Sequence, residues 1–234
     1  MASAVTPRIG REVDGLRQLA LRMGGLAEGI LDKSLRAVWR CDRPLASEVA
    51  EDDLEIDRLD VEIDAAVLNV LALRAPVASD LRQTLAIKNM ATDLERIGDL
   101  ARDMADAAIH LSECATFTAP ALLRQLADQS RRSLGRALHA FADLDPDLAR
   151  TVLDEDDRID ELEDRVIQES IRRIQANPSA SRQEIDLILI AKSLERVADH
   201  ATNIAEEVIL ATESVNLKHA GKLADSPSGD RLSP

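Results

Sequence analysis

The stretch LERIGDLA at residues 94–101 returns one hundred residues later as LERVADHA at residues 194–201. Apolar side chains around both copies recur every three to four residues, which is the spacing of one helix face. The inward-facing positions predicted from this spacing are Leu94, Ile97, Ala101, Met104 and Ala108, and then Leu194, Val197, Ala201, Ile204 and Val208. The chain is therefore predicted to be all-α, with an internal repeat.

Five internal prolines fall where the helical pattern breaks, since proline cannot continue a helix. They are Pro44, Pro76, Pro120, Pro146 and Pro178, and the pairs 44/146 and 76/178 share a spacing of 102 residues. They predict six helices, at about 9–41, 45–74, 78–113, 119–143, 147–176 and 180–213. Short connections favour two tandem antiparallel three-helix bundles, residues 9–113 and 119–213, followed by a disordered tail at 214–234.

Composition excludes several classes of protein. The 234 residues carry a formal net charge of −14, which leaves no basic stripe for binding nucleic acid. No apolar run approaches the roughly 20 residues that cross a bilayer, and no signal peptide precedes the helices. The two cysteines have neither CxxC nor Cys/His spacing, so a zinc site is not indicated. We expect a soluble protein of a reducing compartment without an organic cofactor, and no glycine-rich loop predicts nucleotide binding.

Carboxylates line the outward faces of the helices. Spacing of four residues places Glu95, Asp99 and Asp103 on one ridge, and the second copy places Glu195, Asp199 and Asn203 likewise. Asp57 and Asp160 lie in similar acidic rows on the preceding helices. Like charges at this spacing cost about 0.2–0.5 kcal/mol per pair unless a cation lies between them. These eight residues are therefore the predicted metal ligands.

The chemistry of these ligands favours hard cations. Oxygen donors suit Mg²⁺, Mn²⁺, Ca²⁺ or iron as Fe³⁺, rather than zinc. Asn203 offers a single neutral acceptor oxygen where the first copy has Asp103, so the second site is expected to be weaker. The alternative is that the acidic rows are only solvated, salt-bridged helix faces.

Two duplicated motifs resemble the PhoU family. Ile-Asp-x-Leu occurs at residues 56–59 and 159–162, and each copy precedes one of the two Leu-Glu-Arg motifs. The resemblance covers residues of about 10–213. It implies two three-helix bundles related by a pseudo-twofold axis, and metal binding by the Glu-x-x-x-Asp motif, which maps onto Glu95 and Asp99, continued by Asp103, and onto Glu195 and Asp199.

The resemblance also implies a function without catalysis. Such proteins are cytoplasmic negative regulators that couple the phosphate ABC transporter, through its nucleotide-binding subunit, to a sensor histidine kinase. Membrane association would then be peripheral, at the inner face and through these partners. The sequence leaves open whether the chain is a monomer or a homodimer. No phosphate pocket is predicted, since an acidic face repels the free anion.

Two alternatives of other classes remain. A ferritin-like di-iron protein would also use helical carboxylates, but it places Glu three residues before His, which none of the four histidines has. A metal-free helical scaffold would use the acidic faces only to dock basic partners. Serine hydrolase chemistry is not indicated, because no Gly-x-Ser-x-Gly motif occurs.

Overall fold

The computed structural model describes residues 6–114 and 117–215, which form helices and contain no β-strand. The α-helices of these residues are α1 (Thr6–Arg40), α2 (Arg43–Arg74), α3 (Ala78–Ser112), α4 (Ala121–Asp143), α5 (Pro146–Leu153), α6 (Asp156–Ala176) and α7 (Ser181–Glu213). A single 3₁₀ turn, Pro178–Ala180, precedes α7. The all-α prediction is confirmed.

The helices pack in two groups. In the first, α1, α2 and α3 contact one another, and in the second α5 and α6 each contact both α4 and α7, which also contact each other. The groups meet mainly where α3 lies against α7, with a smaller contact between α1 and α4. The two helices that carry the repeated motif, α3 and α7, thus lie at the centre of the molecule. All ten apolar positions predicted to face inward are buried.

The second helix of each group, α2 or α5, begins with the same capping arrangement. Cys41 and Leu144 adopt left-handed backbone conformations, with φ of 51° and 52°. The aspartate that follows each caps a helix: Asp42 accepts a 3.0 Å bond from the backbone of Leu45, and Asp145 accepts from Asp147 and Leu148. Such caps stabilise a helix by about 1 kcal/mol each. A proline follows in each first turn, which explains why these prolines mark the boundary.

The fifth predicted helix differs from the structure. It is divided into α5 and α6 by a turn at Asp154 and Glu155. Residues 154–157 are four consecutive acids, whose mutual repulsion disfavours a continuous helix, and Glu155 pairs with Arg136 of α4. We attribute the break to these two effects.

None of the helices among the described residues is long and apolar enough to cross a membrane. The predicted disordered tail begins at residue 214, and its part beyond Val215 lies outside the residues that the structure describes.

Candidate carboxylate metal sites

The first acidic cluster lies where α2 and α3 run side by side. It consists of Asp53, Asp57 and Asp60 of α2 with Glu95 and Asp99 of α3. Burial raises the pKa of Glu95 above its ordinary value, and the charges of Asp99, Asp60 and Asp57 raise it further. The ridge predicted on α3 is therefore continued by α2, as the inclusion of Asp57 anticipated.

Three basic side chains compensate the first acidic cluster. Arg102 donates to Asp53 and to Asp99 at 2.9 Å each. Arg96 lies 3.2 Å from Asp99 and 3.3 Å from Glu95. These contacts balance much of the negative charge within the protein. A third cation, Lys88, contacts the neighbouring aspartates of α2, Asp60 at 3.7 Å and Asp64 at 2.6 Å.

Asp53 is the buried member of the cluster, with 2% of its surface exposed. Burial raises the pKa of Asp53, while Arg102 opposes that effect. Gly98 makes the close approach of α2 and α3 possible, because a Cβ there would lie 2.5 Å from Asp53 Oδ1. The glycine of the motif thus leaves room for a buried carboxylate.

The second acidic cluster occupies the equivalent place between α6 and α7. It consists of Asp156, Asp160 and Glu163 of α6 with Glu195 and Asp199 of α7. Burial, followed by the charge of Asp199, raises the pKa of Glu195 to about 7. Burial, followed by the charge of Asp160, raises the pKa of Asp156 to about 6. This cluster favours the uptake of protons or another cation.

The difference between the clusters follows from individual substitutions in the repeat. Arg102 corresponds to Thr202 at the offset of one hundred residues, and Lys88 corresponds to Ile188. Conversely, Lys192 of the second half corresponds to Thr92, and its Nζ lies 3.3 Å from Glu163. Within the part of the chain that the structure describes, Asp156 Oδ1 of the second cluster and Asp60 Oδ1 of the first are both buried and accept no hydrogen bond, but Asp60 Oδ1 lies 3.7 Å from Lys88 Nζ. Arg102 and Lys88 thus have no basic counterparts at the equivalent positions beside the second cluster, an effect that opposes the weakening expected from Asn203.

Two of the predicted ligands lie away from these clusters. Asp103 lines a groove of about 380 Å³ between α3 and α7, beside Lys192 and Arg196. Asn203 donates a 3.1 Å hydrogen bond to Asp93 of α3. Both residues therefore face the neighbouring half instead of the adjacent helix of their own half. Glu95, Asp99 and Asp57 are brought together, and so are Glu195, Asp199 and Asp160.

A polar seam between α3 and α7 was not predicted. His200 Nδ1 lies 2.8 Å from Asp93 Oδ1, which also accepts from Asn203. Elsewhere along the same contact, Asn89 donates to the buried Glu207 at 2.8 Å, and His110 lies 3.3 Å from the buried Asp186. The signal available in the sequence was the spacing of His200, Asn203 and Glu207, which puts three polar groups on one face of a helix that is otherwise apolar there.

No three His, Cys, Asp or Glu side chains among residues 6–114 and 117–215 already stand in an arrangement that holds a metal ion. Binding would therefore require carboxylates of the clusters to rotate toward a common point. The interior along the motif helices is mainly aliphatic, and two of its buried acids, Glu207 and Asp186, contact Asn89 and His110 instead of one another. This arrangement does not resemble the interior di-iron site of a ferritin-like protein.

Comparisons with known proteins agree with the duplicated organisation. The family model described as "PhoU domain" matches twice, at residues 20–108 and 123–208. A protein of Pseudomonas aeruginosa named "Phosphate-specific transport system accessory protein PhoU homolog" is 34% identical over 220 residues, covering 93% of this chain and 90% of that protein. A protein of the same name from Caulobacter vibrioides is 34% identical over 200 residues, covering 84% of this chain and 86% of that protein.

Solved structures agree as well. The crystal structure of PhoU from Pseudomonas aeruginosa superimposes with a TM-score of 0.85 at 35% identity, covering 88% of this chain and 99% of that one. The phosphate transport system regulatory protein PhoU from Streptococcus pneumoniae gives a TM-score of 0.83 at 26% identity, with coverages of 89% and 99%. The family model and the two relatives each span most of the chain, so the chain belongs to the PhoU family.

Proposed function

We propose that the chain is a cytoplasmic accessory protein that lowers phosphate uptake and represses phosphate-starvation signalling when phosphate is abundant. The observation that carries this proposal is the match of both halves to the PhoU domain, together with relatives named as accessory proteins of phosphate transport. Its partners would be the nucleotide-binding subunit of a phosphate ABC transporter and a sensor histidine kinase. Contact with these partners would hold it at the inner face of the membrane.

The proposed role is that of an adaptor without a catalytic step. The two halves share a fold but carry different basic residues beside their acidic clusters, because Arg102 and Lys88 correspond to Thr202 and Ile188, while Lys192 corresponds to Thr92. Two unlike surfaces on one rigid helical body suit an adaptor that contacts two different proteins. A direct phosphate pocket is not part of the proposal, since an acidic surface repels the free anion unless a metal bridges them.

We further propose that the second acidic cluster binds iron, manganese or magnesium through Glu195, Asp199 and Asp160, joined by Asp156. The buried, unpaired oxygen of Asp156 and the raised pKa of Glu195 support this proposal, because a cation would relieve both. Glu95, Asp99 and Asp57 would form the corresponding, weaker site. A bound ion would supply positive charge that offsets the repulsion among these carboxylates.

Co-purification tests the adaptor proposal. Tagged chain would be recovered from membranes of cells grown in high and in low phosphate, and the associated proteins identified by mass spectrometry. We expect recovery of the transporter's nucleotide-binding subunit and a histidine kinase, in amounts that depend on phosphate. The proposal would be contradicted if neither protein were recovered in high phosphate or in low phosphate.

Metal analysis tests the second proposal separately. Protein purified without chelator would be examined by elemental analysis, and chelator-treated protein by thermal shift with added Mn²⁺ or Fe³⁺. We expect a shift that Glu195→Gln with Asp199→Asn reduces more than Glu95→Gln with Asp99→Asn. A metal-free scaffold would show neither bound metal nor a thermal shift, while partner recovery would be unaffected by chelator.

A further inference from the structure

The outer face of α2 carries an apolar stripe that no helix of the described structure covers. We define the α2 stripe as Leu54, Val61 and Leu68, which are 53%, 68% and 67% exposed. The residues Ala65 and Ala72 are exposed on the same face. Exposed leucines occur singly on most proteins, but a row along one helix is unusual and often marks an interaction surface.

Helix geometry aligns the members of the α2 stripe, with the exposed Arg58 beside the row between Leu54 and Val61. Its three large members are seven residues apart, which returns each to nearly the same face and gives a row about 21 Å long. Ile63, at the centre of the buried face of α2, lies about 180° away from Leu54. The α2 stripe is therefore a second apolar face, separate from the one that packs in the bundle.

The second half of the chain shows that the fold does not need this face. At the offset of 103 residues that aligns the Ile-Asp-x-Leu motifs, Leu54 and Val61 correspond to Asp157 and Asp164 of α6. The buried face is kept over the same stretch, since the positions of Ile56, Leu59 and Ile63 hold Ile159, Leu162 and Val166. Only Leu68 retains an apolar counterpart, Ile171. The stripe is thus specific to the first half and requires an explanation other than folding.

The charges beside the α2 stripe indicate its occupant. Asp57 and Asp64 lie along one side of it, and the exposed Glu51 and Glu62 lie along the other. Two cations offset part of this charge, because Lys88 pairs with Asp64 at 2.6 Å and the exposed Arg58 pairs with Glu55 on the side of Glu51 and Glu62, but acids remain in excess on both sides. A second copy of this helix would bring acidic rows against acidic rows, which is unfavourable. An amphipathic helix with an apolar seam and flanking lysines or arginines would match both the apolar and the charged parts.

We propose that the α2 stripe is a docking surface for a basic amphipathic helix of a partner protein. The inference rests on the proposed adaptor role only in requiring that a protein partner exists. It differs from the metal proposal in the residues that carry it, because Leu54, Val61 and Leu68 belong to neither acidic cluster. Asp57 borders both the stripe and the first acidic cluster, so the variants that test the stripe leave Asp57 unchanged. Loss of the docking surface and loss of phosphate regulation can be measured independently.

A synthetic peptide provides the direct test. The probe is a labelled 21-residue amphipathic helix with leucines in the heptad a and d positions and lysines at e and g, titrated with the full chain by fluorescence anisotropy. The variant Val61→Gln with Leu68→Gln should weaken binding at least tenfold. The matched control Ile171→Gln, at the position equivalent to Leu68, should leave binding unchanged.

A second variant, Glu51→Lys with Glu62→Lys, keeps the stripe and removes one acidic row, and it should also weaken binding. A peptide with glutamate in place of lysine should not bind. The proposal is overturned if the Val61 and Leu68 variant binds like the original chain, or if a scrambled peptide binds equally well. It is also overturned if sedimentation shows a dimer that the same variant dissociates, because the occupant would then be a second copy of the chain.

Discussion

Neutralising one carboxylate of the second acidic cluster should stabilise the metal-free protein. Glu195 has its pKa raised to about 7 by burial and by the charges of Asp199, Asp160 and Glu163. The folded state therefore binds the proton of Glu195 more tightly than the unfolded chain does. Stability contributed by that proton is present at low pH and is lost as the pH rises from the ordinary pKa of glutamate through about 7.

The size of the effect follows from the pKa. Moving a carboxyl pKa from 4.5 to about 7 corresponds to at most about 3 kcal/mol of penalty above pH 7. Glu195 keeps part of its surface in water, and solvent screening reduces this figure to about 1–2 kcal/mol. The variant Glu195→Gln removes the charge with little change of shape. It should raise the free energy of unfolding by that amount at pH 8 and leave it nearly unchanged at pH 4.5.

Urea denaturation of chelator-treated protein at both pH values measures this difference. Glu95→Gln is the matched control, and its gain at pH 8 should be smaller because Arg96 already lies 3.3 Å from Glu95. Added Mn²⁺ should reverse the order, stabilising the original chain more than Glu195→Gln. A variant that is no more stable at pH 8 than the original chain would refute the claim that repulsion is concentrated in the second acidic cluster.

Three further changes test the contacts of the first half and of the central interface. Gly98→Ala would place a Cβ 2.5 Å from Asp53 Oδ1, so urea denaturation should show a loss of about 1–3 kcal/mol, and an unchanged midpoint would contradict the close helix approach. Arg102→Ala removes the cation that donates to the buried Asp53, and urea denaturation should show that the free energy of unfolding falls by about 1–3 kcal/mol at pH 8 and by less near pH 4. A loss that does not depend on pH would show that packing was responsible. Asp93→Ala breaks the contact with His200 between α3 and α7, and calorimetry should show a lower Tm, with a decrease of about 1 kcal/mol in the free energy of unfolding. An unchanged Tm would show that the contact is not stabilising.

The sequence predicted the elements that depend on periodicity and on capping. The apolar spacing around Leu94 and Leu194 identified core positions, because one helix face must be buried whatever its partner is. Prolines placed the helix boundaries within a few residues. Pro44 and Pro146 lie in the first turn after a capping aspartate, and Pro76 follows the left-handed Ala75. Pro120 directly precedes α4, and Pro178 begins the 3₁₀ turn before α7. The break at Asp154 and Glu155 was not predicted. The run of four acids at residues 154–157 is visible in the sequence, but the ion pair of Glu155 is with Arg136, which belongs to another helix.

Prediction of the sites was limited by neighbouring helices. Spacing of four residues groups Glu95 with Asp99 correctly, because those positions share a face on one helix. It cannot tell that Asp103 turns toward α7 or that Asn203 donates to Asp93, since both depend on how the halves pack. The role of Arg102 was equally inaccessible, because its partner Asp53 lies 49 residues away in the sequence.

The central claim, that this chain restrains phosphate acquisition when phosphate is plentiful, is tested most directly by uptake of radiolabelled phosphate. Its gene would be deleted in the host, and uptake measured in phosphate-rich medium with and without a plasmid copy. We predict that deletion increases uptake and expression of a phosphate-starvation reporter, and that the plasmid copy restores both to their original levels. Unchanged uptake and reporter expression after deletion would contradict the account.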